Sequence, residues 1–386
     1  MSDRYFKRGY NLVEYVITKY RDLTVMAIVS DGRVEDLIAD EGKKKLNVGD
    51  IVIAKVTDIT ANISSAFLEL GESKAYMTLS GDDRVRPGDE LPVQILKEAC
   101  GNKEMTVTKK LSIPGKYAVV SLASDGTPRL HISRKLTDTS VRTRLQDEIS
   151  PMLDQYDITL RTNAADGAKE DISAEIHEIS GVLSDILERA ATRTVFSRLY
   201  ESTGLFTAAI RDSRYAGDKV IVTDQPDIMQ DMSEAFPDIK IRLYQDDSLP
   251  LSVVYKIGYN IESIRDRRVW LKSGAYLIID GTEAMTVIDV NSGKTDIKGS
   301  REDTFFAINK EAAKEIARQL RIRNISGMIL VDFINMKKHD HYEALRICIE
   351  KETACDLSGT IFVDFTKLGI AELTRKKTRC PIHELL

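Results

Sequence analysis

The sequence contains no nucleophile elbow, no P-loop and no glycine-rich dinucleotide loop. Their absence removes the usual signposts of serine hydrolases, NTP-binding proteins and nicotinamide enzymes. No uncharged apolar run is as long as a bilayer requires, so no membrane span is expected. Met1 to Tyr10 carries Arg and Lys without an apolar core, so no signal peptide is expected there. Cysteine is scarce. Cys100, Cys348, Cys355 and Cys380 are scattered, which fits a reducing cytosol better than a disulfide framework. Cys380-Pro381-Ile382-His383 resembles half of a zinc site, but structural zinc needs four ligands and no second pair lies nearby. Positive charge is not in excess either. The net charge of −5 argues mildly against a nucleic-acid partner. Local patches decide binding more than the total does, and carboxylates around a metal would lower the total without opposing it.

What is present is an ordinary globular composition, 42% hydrophobic and 30% charged over 386 residues, enough for two or three domains. Residues 11–35 read as two short strands with a turn at Asp31-Gly32. From Val48 to about Lys110, short strands recur at regular spacing between Gly49, Gly71, Gly81 and Pro87-Gly88, the cadence of a small β-barrel. Residues 111–205 mix strands with a helix on which Ile179, Val182, Leu183, Ile186, Leu187 and Ala190 form one apolar stripe. Residues 206–264 alternate strands and short helices in an α/β pattern.

The last third carries the chemistry. A hairpin is expected around Gly281-Thr282, then a helix over about Asp303–Arg323 that stops near Gly327. The run "GMILVDFINM" reads as a strand buried on both faces. Val287-Ile288-Asp289 and Leu330-Val331-Asp332 each place an acid in an apolar strand, which is costly unless the acid is paired or metal-bound. Two carboxylates converging at strand ends suit Mg²⁺, which keeps several waters and needs few protein ligands. Asn291 could orient the hydrated metal or a phosphate oxygen. For one Asp alone a turn or an Arg partner is the simpler account. Two of them, with Asn291 and Gly293 following the first, favour metal.

Arg318, Arg321 and Arg323, with Lys294, Lys298 and Arg301, could bind RNA phosphates. A solvated helix face with Glu311 and Glu315 as partners explains the arginines equally well. The run Arg375 to Arg379 reads as backbone-contacting or as a solvated tail. Phe67 and Tyr76, on neighbouring strands of the barrel near Lys74 and Lys103, are either base-stacking or core aromatics. His339 and His341 are two apart and cannot share a helix face, so they read as loop or helix-start residues.

The stretch "EAMTVIDVNSG…EAAKEIARQLRIRNISGMILVDFINM" resembles the catalytic region of the RNase E/G family of bacterial endoribonucleases, and the likeness extends over nearly the whole chain. "VGDIVIAKVTDITANISSAFLELGESKAYM" resembles that family's S1-type domain, and "LSIPGKYAVV" and "LRTNAADG" its 5′-sensor segments. The resemblance implies a composite α+β and α/β fold. Its parts would be a split RNase H-like part (1–35 and 206–264), an inserted S1-type OB-fold barrel (36–110), a 5′-sensor subdomain (111–205) and a DNase I-like catalytic part (265–386).

It further implies metal at Asp289 and Asp332, Mg²⁺ or alternatively Mn²⁺, with Asn291 in the same motif. RNA contacts fall at Phe67, Tyr76 and Lys103, and a 5′-monophosphate site at Gly115, Val119, Arg161 and Thr162. The basic residue that the family adds to that site falls near Gly359. Leu386 precedes the family's zinc-linking cysteines, so any homo-oligomer would form without a zinc-link. The implied activity is cytoplasmic cleavage of single-stranded RNA by a metal-activated water, leaving 5′-phosphate and 3′-hydroxyl ends. The implied substrates are ribosomal RNA precursors and mRNA. The competing readings are a non-catalytic, ribosome-associated S1-domain RNA-binding protein and a DNA nuclease.

Overall fold

The computed structural model describes residues 12–42, 46–80, 84–99, 104–123, 126–246, 248–282, 284–294 and 300–385. The chain divides into two compact units, Met1–Lys43 with Leu205–Leu386, and Lys44–Gly204.

β1 (Leu12–Tyr20), β2 (Leu23–Ser30) and β3 (Arg33–Asp40) form an antiparallel meander. Asp31 and Gly32 both take positive φ, 50° and 71°, as a two-residue hairpin turn requires. The sequence reading closed this segment at residue 35, but pairing continues to Asp40. A register shift between Ile28 and Val29 breaks the alternation, so that Asp36, Leu37 and Ile38 are buried in succession. Strict period two therefore fails as a marker of β3.

In the second unit, β4 (Ile51–Thr60), β5 (Ser65–Leu70), β6 (Ser73–Thr78), β7 (Glu90–Lys97) and β8 (Met105–Thr108) close on themselves through a β4–β7 pairing. This five-stranded barrel is filled by alternating residues such as Val52, Ala54, Leu68, Met77, Val93 and Val107. β9 (Ser112–Pro114), β10 (Ala118–Leu122), β11 (Leu130–Ile132) and β12 (Tyr156–Leu160) make a four-stranded sheet. α1 (Thr139–Ile149) is capped by Asp138, whose carboxylate accepts from the Ser140 and Val141 amides. α2 (Lys169–Ala190) buries Ile172, Ile176, Ile179, Leu183 and Ile186, whereas Leu187, expected on that stripe, faces solvent. β13 (Arg198–Tyr200) returns to pair with β4.

The first unit resumes with α3 (Leu205–Asp212), β14 (Asp218–Thr223), α4 (Pro226–Ala235), β15 (Lys240–Leu243), α5 (Leu251–Val254) and α6 (Ile257–Ser263). β14 and β15 extend the meander in parallel to β1, in the order β15-β14-β1-β2-β3. Its two faces carry separate apolar clusters, one with Ile210 and Met232, the other with Ile257, Ile261 and Ile322. β16 (Arg268–Trp270), β17 (Tyr276–Gly281), β18 (Met285–Asn291), α7 (Arg301–Ile322), β19 (Gly327–Asp332), α8 (His339–Thr353), β20 (Thr360–Phe365) and β21 (Ile370–Arg375) complete the unit. They form a sheet in the order β16-β17-β18-β19-β21-β20.

α7 ends at Ile322, and the left-handed residue that stops it is Asn324 rather than Gly327. Asn324 takes φ 50°, and the Ile325 amide donates back to the Leu320 carbonyl, a Schellman-type stop. Gly327, at φ 89°, opens β19. Arg375, expected in an exposed basic run, is buried and grips Asp356 with Nε and Nη2, both at 2.9 Å. Burial alone would raise the Asp356 carboxyl, but Arg375 and the Thr360 hydroxyl bring it below the ordinary carboxylate range. Cys348 and Cys355 are free thiols. Among the described residues no helix is long and apolar enough to cross a membrane.

Removing one partner of the Asp356–Arg375 pair leaves the other charge buried and unpaired. Asp356→Asn should therefore cost about 3–5 kcal/mol in urea denaturation. The pH dependence has a definite sign. A carboxyl depressed in the folded state stabilises fully above its unfolded pKa, about 3.9, and loses that contribution as pH falls through its folded value. The loss of stability on acidification should be shallower in the variant, and an unchanged acid limb would show that this pair does not govern it.

Candidate active site

β17 and β18 are joined by a short hairpin in which the Thr282 amide donates to the Met285 carbonyl. β18 then runs parallel to β19, because α7 crosses over between them. In that pairing Asp289 lies directly opposite Asp332. Neighbours in register project to the same face, so the two carboxylates stand side by side near the C-terminal ends of adjacent parallel strands. Strand spacing puts the chains roughly 5 Å apart.

The face they share is not the one the sequence implied. Ile288, Val290, Ile329 and Val331 point into the core with α7 and α8, while Asp289 and Asp332 point to the opposite, open face. β19 is thus buried on one side only, and Met328 is 52% exposed. The sequence argument from costly buried acids does not apply. The acids are solvated, and what remains unusual is that two like charges are opposed in register. Asn291 sits two residues along β18 on the same face, and its Nδ2 donates to Asp289 Oδ2 at 2.6 Å, fixing that carboxylate.

The pair fits a hard divalent cation. Mg²⁺ takes one or two carboxylates and keeps its waters, so two exposed oxygen ligands are a sufficient protein share. Among the described residues no cluster of three or more His, Cys, Asp or Glu could hold a metal, and the fit rests on this pair alone. Along the same face Asp280 lies one row from Asp289 on β17, and Arg267 grips it with two hydrogen bonds. That contact holds the Asp280 carboxyl below its ordinary range.

Arg318 and Arg321 do not face this site. Arg318 is 8% exposed and bonds the Val34 carbonyl, Glu315 and Asn260. Arg321 is 4% exposed and bonds the Glu35 carbonyl, the Glu35 carboxylate and the Glu352 carbonyl. Arg323 is spent on Gln319 and the carbonyls of Ile264 and Asp266. The expected RNA-phosphate role of Arg318 and Arg321 is corrected accordingly: they tie α7 to β3 and α6. Burial pushes the Arg318 guanidinium below its ordinary range, against the pull of Glu315. His339 and His341 open α8, as expected; His341 stacks on Phe306, ring centres 4.2 Å apart, next to Glu302. Lys294 and Arg301 are exposed, and Lys298 lies outside the described residues.

In the second unit Phe67 and Tyr76 are directly opposed across β5 and β6. Both are half-buried on the outer face of the barrel, and neither belongs to its core. Lys103 lies outside the described residues. Gly115, Val119, Arg161 and Thr162 gather at one end of β10 and β12. Arg161 donates from Nη1 to the Gly115 carbonyl at 2.6 Å and from its amide to the Tyr117 carbonyl at 2.8 Å. Sequence reasoning missed Glu175, whose carboxylate accepts from the amides of Lys116, Tyr117 and Ala118 and so holds this loop. A side chain at Gly115 would collide with that carboxylate. In the first unit, Gly359 takes φ 76°, a conformation that disfavours the basic side chain expected at its place.

Because Arg321 serves the fold, Arg321→Met should lower stability by about 3–5 kcal/mol while leaving RNA affinity unchanged at temperatures where the variant is folded. A matched loss of affinity, with stability intact, would restore the phosphate-binding role.

The model of the Ribonuclease E/G family matches residues 112–378. The chain is similar to Ribonuclease G of Salmonella typhimurium, 28% identical over 94% of this chain and 79% of that protein. Ribonuclease G of Escherichia coli K12 matches at the same identity and coverage. Ribonuclease E of Synechocystis is 29% identical over 94% of this chain and 56% of its own length. The chain belongs to the Ribonuclease E/G family of endoribonucleases.

Proposed function

We propose that this protein cuts single-stranded RNA on the open face of the β16–β21 sheet, between Asp289 and Asp332, in ribosomal RNA maturation and mRNA turnover in the cytoplasm. The observation that carries this reading is the in-register pairing of the two acids on parallel β18 and β19, with Asn291 bonded to the first. Two opposed carboxylates repel each other, and a divalent cation would relieve that repulsion. Asp289 and Asp332 would hold Mg²⁺, or Mn²⁺ in its place. When bound it supplies charge neutralisation at the phosphate and a water of lowered pKa.

The chain's own contribution is positional. Asn291 holds the Asp289 carboxylate in one orientation, so little reordering is needed when substrate arrives. The backbone pairing of β18 with β19 fixes Asp332 against it. Attack of water on phosphorus with departure of the 3′ oxygen leaves 5′-phosphate and 3′-hydroxyl ends. Phe67 and Tyr76 supply a stacking surface on the barrel. Arg161 and Thr162 form a site for a 5′-monophosphate, in which three nearby loop amides are already taken by Glu175.

The test is cleavage of a 3′-labelled single-stranded RNA carrying a 5′-monophosphate, 5′-hydroxyl or 5′-triphosphate, with Mg²⁺ or with EDTA. Internal cuts should need the metal. Asp289→Asn and Asp332→Asn should each abolish cutting and preserve RNA binding. Mg²⁺ should raise the melting temperature of the parent and not of either variant. Binding without cutting under any metal would establish the non-catalytic RNA-binding protein instead, and equal cutting of all three ends would retire the role of Arg161 and Thr162.

A further inference from the structure

The open face that carries the acid pair also carries an aromatic and cationic cluster at its edge. Trp270 on β16 lies opposite Tyr276 on β17, which lies opposite Asn291 on β18. Arg268 lies opposite Ile278, which lies opposite Asp289. Direct neighbours share a face, so Arg268, Trp270 and Tyr276 stand in the same rows as the candidate active-site residues. Two strand spacings separate them, roughly 10 Å.

The cluster is ordered by its own contacts. The Trp270 and Tyr276 rings are 5.2 Å apart and tilted. The Arg268 guanidinium lies 5.6 Å from the centre of one ring and 4.7 Å from that of the other. Yet Trp270 is 62% exposed. An aromatic of this size normally buries most of its area, and β16 is a sheet edge, where exposed apolar surface invites misassociation. Among the described residues no carboxylate pairs with Arg268, whereas Arg267 beside it is committed to Asp280. A cation with no carboxylate partner, set beside an exposed indole and a half-buried phenol ring, is the arrangement that receives a base and its phosphate together.

We propose that Arg268, Trp270 and Tyr276 form a platform for a single-stranded RNA, on which a base of the substrate stacks and Arg268 meets an adjoining phosphate, delivering the neighbouring linkage to Asp289 and Asp332. This rests on the function proposed above. Stacking is tolerant of base identity because every base offers a π-face, so the platform sets position along the strand rather than sequence.

Trp270 is the chain's single tryptophan, so its fluorescence reports the platform alone. The full chain carrying Asp332→Asn would be titrated with a short oligoadenylate, with binding followed in parallel by anisotropy of an end-labelled strand. Tryptophan emission should be quenched in step with binding and recover on adding salt. In the otherwise unaltered enzyme, Trp270→Ala should raise KM for RNA by roughly 5- to 150-fold, the equivalent of one lost base stack, with kcat little changed. Trp270→Phe should recover most of the loss, and it keeps the experiment interpretable if the alanine variant folds poorly. RNA bound and cut with Trp270 emission unmoved and KM unchanged in Trp270→Phe and Trp270→Ala would overturn the platform and leave the nuclease reading standing. An unaltered chain that neither binds nor cuts RNA would remove both.

Discussion

The second half of α7 is buried on nearly every side, and its arginines are the constraint on which the rest of the first unit depends. Arg318, Arg321 and Arg323 reach β3, α6 and the segment before β16 through carbonyls and carboxylates. Each guanidinium spreads its donors in a rigid fork and stays charged, which is why arginine and not lysine can serve three acceptors in so confined a space. Desolvating such charges is costly, and only complete hydrogen bonding offsets it. The α7 exit is fixed in the same way: Asn324 accepts from Arg375, which is locked by Asp356. Since β19 begins three residues later, these bonds set where β19 lies against β18, and hence that Asp332 meets Asp289.

That arrangement divides the sheet into a held face and a working face. α7 and α8 cover one side with Ile308, Ile316, Leu320 and Leu345. The other side keeps Val287 and Met328 exposed next to the acids. Leaving such residues in water forgoes burial of about 25 cal/mol for each Å² of apolar surface. A sheet pinned rigidly from behind tolerates this, and rigidity is what a pair of facing carboxylates needs if neither is to swing away from the other.

Much of this was legible in the sequence, for identifiable reasons. The barrel announced itself through evenly spaced strands with glycine turns, and α7 through Ile308, Ala312, Ile316 and Leu320 at four-residue intervals. Asp289, Asn291 and Asp332 stood out because acids and an amide interrupt apolar strands. What failed was the reading of sides. "GMILVDF" looks buried throughout because Met328 and Leu330 are apolar on an open face. β3 went unread as a strand because a register shift abolished its alternation. Composition records what a residue is, and the face it occupies depends on partners distant in the chain.

The arginines show this most directly. Arg318 and Arg321 were equally compatible with a phosphate-binding surface and a solvated helix face, and they occupy neither. Periodicity assigned the apolar stripe of α7 to one sheet and left the remaining face to water, because a one-dimensional pattern has room for only one partner. A helix wedged between a sheet and a second set of elements must bury its polar side too, and it can do so only with residues that bring their own hydrogen bonds. Glu315, Gln319 and the three arginines are such residues: Gln319 donates to Glu315 and accepts from Arg323, closing the network on itself. Arginines that alternate with Glu and Gln at three- and four-residue spacing on a helix are therefore ambiguous evidence of nucleic-acid binding. Arg268, on an edge strand with aromatic neighbours and, among the described residues, no carboxylate paired with it, stands in a different setting, in which its charge is available to a ligand.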